Sequence, residues 1–231
     1  MQLKRLVIFL GIIFWPVSLF INNTSPNFIN YILPIFEPKV ALFPLIFFAL
    51  RKNIKLSLIF LFISLINFNR FWGQTIFKPD YEAQQSVIRQ TLLYPNTFTA
   101  RLFHNKARIY IDKFNNNIFA LTDPNNYFFK FHPNEIIIDN QNLKKFPSFA
   151  LFVVIYGLFT LQRAKHKNLI LSWLFGAILS LSVLTSFDRN DFILWPPLCL
   201  IFVHGANQIK NKLFWTIFII FSIFELWQII I

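Results

Sequence analysis

Charge of negative sign is scarce in this chain. Among 231 residues stand 10 Asp and Glu against 22 Lys and Arg, and charged residues together make up only 14%. An average globular protein carries roughly 25%, so a fully polar surface is excluded from the outset. Glycine is almost as scarce, at five residues. This removes G-x-G-x-x-G and Walker A phosphate loops, the nucleophile elbow, and any GxxxG seam between helices. The one cysteine, Cys199, excludes an intramolecular disulfide and any Cys-x-x-Cys chemistry.

Apolar residues fill the gap. They make up 55% of the chain, with 32 phenylalanines and a mean hydropathy of +0.52. They fall in seven blocks: 6–21, 31–50, 56–68, 149–161, 169–187, 192–203 and 213–231. A spanning helix needs about 20 largely apolar residues. The sequence therefore predicts an all-α integral membrane protein with about seven transmembrane helices. Residues 1–68 form an N-terminal membrane part of three spans and 147–231 a C-terminal part of four. Between spans 3 and 4 lies a small, mainly helical domain, 69–146.

Basic residues cluster between the blocks, at Lys4 and Arg5, at Arg51, Lys52 and Lys55, at Arg163, Lys165 and Lys167, and at Lys210 and Lys212, with no acid in any cluster. Under seven alternating spans all four share one side. The positive-inside rule then places the N-terminus in the cytoplasm of a cell (plasma or inner) membrane, with the C-terminus and 69–146 extracytoplasmic. The first block lacks a small-x-small cleavage site and reads as a retained signal-anchor. The net charge of +12 is thus assigned to a membrane surface and not to nucleic acid.

Within 69–146, Asp80 and Glu82 mark the start of a helix over "YEAQQSVIRQTLLY". Phe103, Ala107, Tyr110, Phe114, Ile118 and Leu121 recur at three and four, predicting an amphipathic helix. Arg108 and Asp112 sit at i,i+4 on its other face. The run Asn115 to Asn117 is poor helix material, where the helix is expected to end or kink. Asp123-Pro124 stops it. The following stretch, with Tyr127, Phe128, Phe129 and Phe131, reads as an interfacial aromatic lip, and Lys130 as its headgroup contact.

Candidate chemistry is sparse. His132 and Glu135 have H-x-x-E spacing, but no second ligand pair accompanies them, so no metal and no cofactor is expected. Arg101, His104, Lys106, Arg108 and Arg189 are candidates for an anionic headgroup or phosphate. Glu37, Lys39 and Glu225 are ionisable groups inside apolar blocks, where burial makes them costly. Asp188, Asp191 and Glu37 are the candidate catalytic acids. No catalytic constellation is complete, which favours a lipid- or partner-binding assembly subunit at the outer leaflet, its partners membrane lipids and a second membrane protein. The alternative is a transferase using a lipid-phosphate-linked glycosyl donor. Its outer-face acids and long outer segment are similar in arrangement to multispan glycosyltransferases that use polyprenyl-phosphate sugars, although those are usually longer and place the loop early. A small-solute or ion transporter, resting on Glu37, Lys39 and Glu225, comes third.

Overall fold

A computed structural model describes residues 2–22, 42–66, 72–78, 81–93, 98, 106–129, 144–185 and 188–230. Every regular element among them is helical, apart from one isolated bridge between Thr75 and Leu184. In chain order the α-helices are α1 (Gln2–Asn22), α2 (Leu42–Leu50), α3 (Ile54–Ile66), α4 (Tyr81–Leu92), α5 (Lys106–Thr122), α6 (Pro124–Phe128), α7 (Ala150–Thr160), α8 (Lys167–Ser182), α9 (Trp195–Gln208) and α10 (Lys212–Ile230). Two 3-10 segments, Leu161–Arg163 and Asp188–Leu194, join α7 to α8 and lead into α9.

Each apolar block foreseen in the sequence carries a helix, but the seven-span reading is overturned. Among the described residues no helix is long and apolar enough to cross a membrane. The α2, α3, α7, α8 and α9 helices have 9, 13, 11, 16 and 14 residues. At 1.5 Å per residue these rise roughly 14 to 24 Å, short of the ~30 Å hydrocarbon layer. Of the two longer ones, α1 holds Lys4, Arg5 and Pro16, and α10 carries Glu225 in its second half. The multi-pass membrane placement falls with the spans. So do the signal-anchor and the assignment of the N-terminus to the cytoplasm and of 69–146 to an extracytoplasmic domain. Apolar composition located the helices; it did not fix their length, because turns and 3-10 segments consume ends of the blocks 149–161, 169–187 and 192–203.

The α2–α3 turn shows why the second and third blocks separate where they do. Asn53 N–H donates to the Phe48 carbonyl at 2.9 Å and Lys52 N–H to that of Ala49 at 2.9 Å. This pair of bonds closes a helix end around a left-handed residue. Here that residue is Lys52, at φ 56°. Ring stacking of Phe48 on Phe60 (5.6 Å, 11°) then folds the hairpin shut.

Packing centres on α1, α7, α8, α9 and α10, with α2 along α8 and α5 on the end of α8. Glycine sets two of the close approaches. A Cβ at Gly157 would lie 2.3 Å from the Ile201 carbonyl oxygen, and one at Gly205 would lie 2.2 Å from that of Val153. The scarcity of glycine suggested no close-packed glycine interface, yet α7 and α9 cross on one glycine from each helix. Similarly, a Cβ at Gly11 would strike the Phe202 ring at 2.3 Å.

The α5 helix runs unbroken through Asn115, Asn116 and Asn117, where an end or kink was expected. Tertiary bonding overrides propensity there. The buried Asn117 side chain donates to the carbonyls of Ser182 and Leu184 at 3.0 and 2.7 Å, satisfying the end of α8. The buried face of α5 is accordingly Asn117, Ala120 and Leu121, while Ala107 of the expected stripe is exposed.

Candidate functional site

Two adjacent lysines, Lys144 and Lys145, are 8% and 1% exposed. They precede α7 and their side chains reach opposite partners. Lys145 pairs with Asp191 in the 3-10 segment, and its ammonium also donates to Asn126 Oδ1 at 2.7 Å. It stands 5.3 Å from the ring centroids of both Trp15 and Tyr127. Lys144 pairs with Glu225 Oε1 at 2.9 Å and donates to Ser148 Oγ at 2.8 Å. Ser148 N–H donates to Glu225 Oε2 at 3.0 Å, and the Ser148 hydroxyl to the Phe128 carbonyl at 3.2 Å. Burial of this kind is tolerated only where each charge is paired and hydrogen-bonded.

Local sequence builds the frame. Asp123 Oδ1 accepts from Asn125 N–H at 2.9 Å and caps α6, with Pro124 at its first position. The single turn brings Asn126 and Tyr127 inward, and the Tyr127 hydroxyl donates to the Leu121 carbonyl at 2.7 Å. The Tyr127 carbonyl accepts the Phe146 N–H at 2.8 Å and the Lys145 N–H at 3.2 Å. Trp15 closes the cage edge-on against Tyr127, Phe146 and Phe192, at 6.1, 5.6 and 5.6 Å. Four separated stretches of sequence, around positions 15, 126, 145 and 191, thus meet around one ammonium.

The opposite end of the helices is basic. Lys4 Nζ donates to the Asn207 carbonyl at 2.8 Å, and His204 Nε2 lies 3.0 Å from the Thr160 carbonyl. The 3-10 turn Leu161–Arg163 packs on α9. These contacts bring together Lys4 and Arg5, the Arg163 to Lys167 turn, and Lys210 and Lys212. Glu225 is thirteen residues beyond Lys212, roughly 20 Å along α10, so the paired charges and the basic end lie well apart.

Of the residues singled out by sequence, Asp191 and Glu225 enter the buried cluster, each held by a lysine. Tyr127 and Phe128 lie in the core at 5% and 4% exposure, and Phe129 is exposed. Arg108 is on the exposed face of α5 with Asp112 at 3.4 Å, the i,i+4 pair expected. Asp188 and Arg189 lie in the 3-10 segment and Lys106 opens α5, but their side chains fall outside the described residues, as do Glu37, Lys39, Arg101, His104, Lys130, Phe131, His132 and Glu135. Sequence reasoning missed Trp15, Asn126, Lys144, Lys145 and Ser148. The available signal was Lys144-Lys145 beside the apolar "FPSFALFVV", with Glu225 as a lone acid in an apolar run and Asp191 at the edge of another. Among the described residues no three His, Cys, Asp or Glu side chains gather where a metal could bind. Cys199 is buried, and burial pushes its thiol up to about 12.

No protein-family model matches the chain, and no curated protein and no solved structure matches it.

Proposed function

We propose that this protein binds anionic lipid, with its apolar helix exteriors taking acyl chains and its basic end taking headgroups. The observation that carries this reading is the exterior of α3, none of whose residues is buried. Ile54, Leu58, Phe62 and Ile66 lie four apart on one row and are 57 to 70% exposed. Phe152 and Phe159 on α7 and Ile220, Phe224 and Trp227 on α10 are also 57 to 80% exposed. Contiguous exposed apolar faces, such as the row on α3, mark interaction surfaces on proteins in water. Acyl chains cover such faces without requiring a matched shape, and phosphate headgroups complement clusters of Lys and Arg free of acids. The paired Lys144–Glu225 and Lys145–Asp191 serve this reading as the structural plug of the other end.

The test is flotation of the purified protein with vesicles of phosphatidylglycerol or of phosphatidylcholine. Co-flotation with the anionic vesicles, reduced several-fold in a Lys4, Arg5, Lys210 and Lys212 to Gln variant, supports the reading. Equal co-flotation with both lipids removes the headgroup half of it, and no co-flotation with either removes the whole. Stable recovery of a protein bound to the α3 face instead would replace lipid by a protein partner.

A further inference from the structure

The α4 helix carries an apolar stripe that the lipid reading does not use. Tyr81, Gln85, Ile88 and Leu92 follow one another at spacings of four, three and four, which places all of them on one side of the helix. Tyr81, Ile88 and Leu92 are 74%, 51% and 80% exposed, and Gln85 is partly buried between them. The side of α4 held against the protein is a neighbouring one: Gln84, Val87 and Thr91 are partly buried, and α5 packs on the helix. On the other flank of the stripe stand Glu82 and Arg89, both exposed. They are two turns apart and so lie at nearly the same angle around the helix. Neither makes an ion pair among the described residues.

We propose that α4 pairs with α4 of a second copy of this chain, antiparallel, about a two-fold axis near Ser86 and Val87. A two-fold contact must be complementary to itself, and this stripe is. Antiparallel pairing sets Tyr81 against Leu92 of the second copy and Gln85 against its Ile88. It also brings each flank against the same flank of the other helix, so Glu82 lies beside Arg89 and Arg89 beside Glu82. Charges flanking an apolar seam fix the orientation of a helix pair in this way. Parallel pairing would oppose that flank to Gln84 and Thr91, which are neutral and turned toward the protein. Anionic lipid fits less well, because this flank holds an acid as well as a base. The contact is short: twelve residues rise roughly 18 Å. Such an interface belongs to the small, transient class, and the dimer dissociates on dilution.

The experiment is sedimentation velocity of the purified full-length protein over a range of concentrations, in low salt, where exposed charge pairs are least screened. A reversible monomer–dimer equilibrium is expected. Glu82→Arg and Arg89→Glu each set like charges on the facing flanks and should weaken dimerisation about tenfold. An equimolar mixture of these two variants restores both attractions and should dimerise as the unaltered chain does, and so should the chain carrying both exchanges. Ile88→Gln should abolish the dimer. All three side chains are exposed, so the circular dichroism of each variant should stay native. A monomer at every concentration overturns the proposal. So does association that neither charge reversal weakens, which would place the contact on another face such as α3, and so does failure of the mixture to recover. A protein that stays monomeric while Ile88→Gln loses flotation with vesicles would give this stripe to lipid. The variants leave α3 and the basic end untouched, so flotation with anionic vesicles tests the lipid reading separately.

Discussion

The Lys145 ammonium reaches Asp191 across 46 positions of sequence and is seated between the rings of Trp15 and Tyr127. A pair this deeply buried contributes little net stability when compared with a well-packed apolar pair, but breaking it strands a charge. Lys145→Met alone, or Asp191→Leu alone, should destabilise the protein by about 3–5 kcal/mol. The double variant should recover most of that loss. Denaturant unfolding of the four proteins gives the cycle, and additive losses would show that the two groups do not act as a pair.

Crossing glycines make an opposite demand. Alanine is the better helix former by ~1 kcal/mol, yet Gly205→Ala and Gly157→Ala would each press a methyl into a carbonyl oxygen of the facing helix. Backbone cannot swing aside as a side-chain tip can, so the overpacking penalty of about 1–3 kcal/mol should win, toward its upper end. Gly73 has nothing within 4 Å of its Cβ position, and Gly73→Ala should be close to neutral. Thermal unfolding of the three variants checks the contrast.

Ser222 is fully buried, and its hydroxyl has no hydrogen-bond partner among the described residues. Leaving such a group unmet costs about 1–3 kcal/mol. Ser222→Ala should therefore stabilise α10 against its neighbours, raising the denaturation midpoint. A loss of stability would mean that the hydroxyl is bonded in solution.

Cys199 provides the pH dependence. Its thiol is held protonated by burial, with a pKa of about 12 against 9.0 for an exposed group. Unfolded chain loses this proton first as pH rises, so the native state holds more protons between pH 9 and 12 and loses stability there. The Cys199 contribution is fully present below pH 9. Cys199→Ala should flatten that alkaline fall. Native protein at pH 8 should resist alkylation by iodoacetamide until it is unfolded.

The position of most helices was legible in the sequence, because apolar runs bounded by Lys, Arg, Asn and Pro leave few places to start and stop. Their length was not. "TDPNN" was readable as a stop, but the stretch after it was expected to be a loop, and the short helix α6 that Asp123 caps was not foreseen. The direction in which Tyr127 and Phe128 point was not, since an aromatic run in a loop looks the same whether it faces lipid or core. Local propensity ended α5 at its asparagines, whereas Asn117 is kept helical by carbonyls 65 and 67 positions away. The buried ion pairs were half visible. Glu225 stood out as an acid inside an apolar block and Asp191 as an acid of the polar turn at 188–191, but their partners are adjacent lysines at a segment edge, where basic residues are ordinarily solvated. Long-range pairing of this sort leaves no spacing rule in the sequence.

The central claim is that lipid chains cover the exposed helix faces, and Trp227 is placed to report it. It is 63% exposed on α10, whereas Trp15 and Trp215 are 1% and 3% exposed. Emission should be measured with vesicles of phosphatidylglycerol brominated along the acyl chain. Quenching that largely disappears in Trp227→Phe is the expected result, because it requires acyl carbon against that face. Emission unchanged by the brominated vesicles, with the protein folded and the vesicles in excess, would contradict the account.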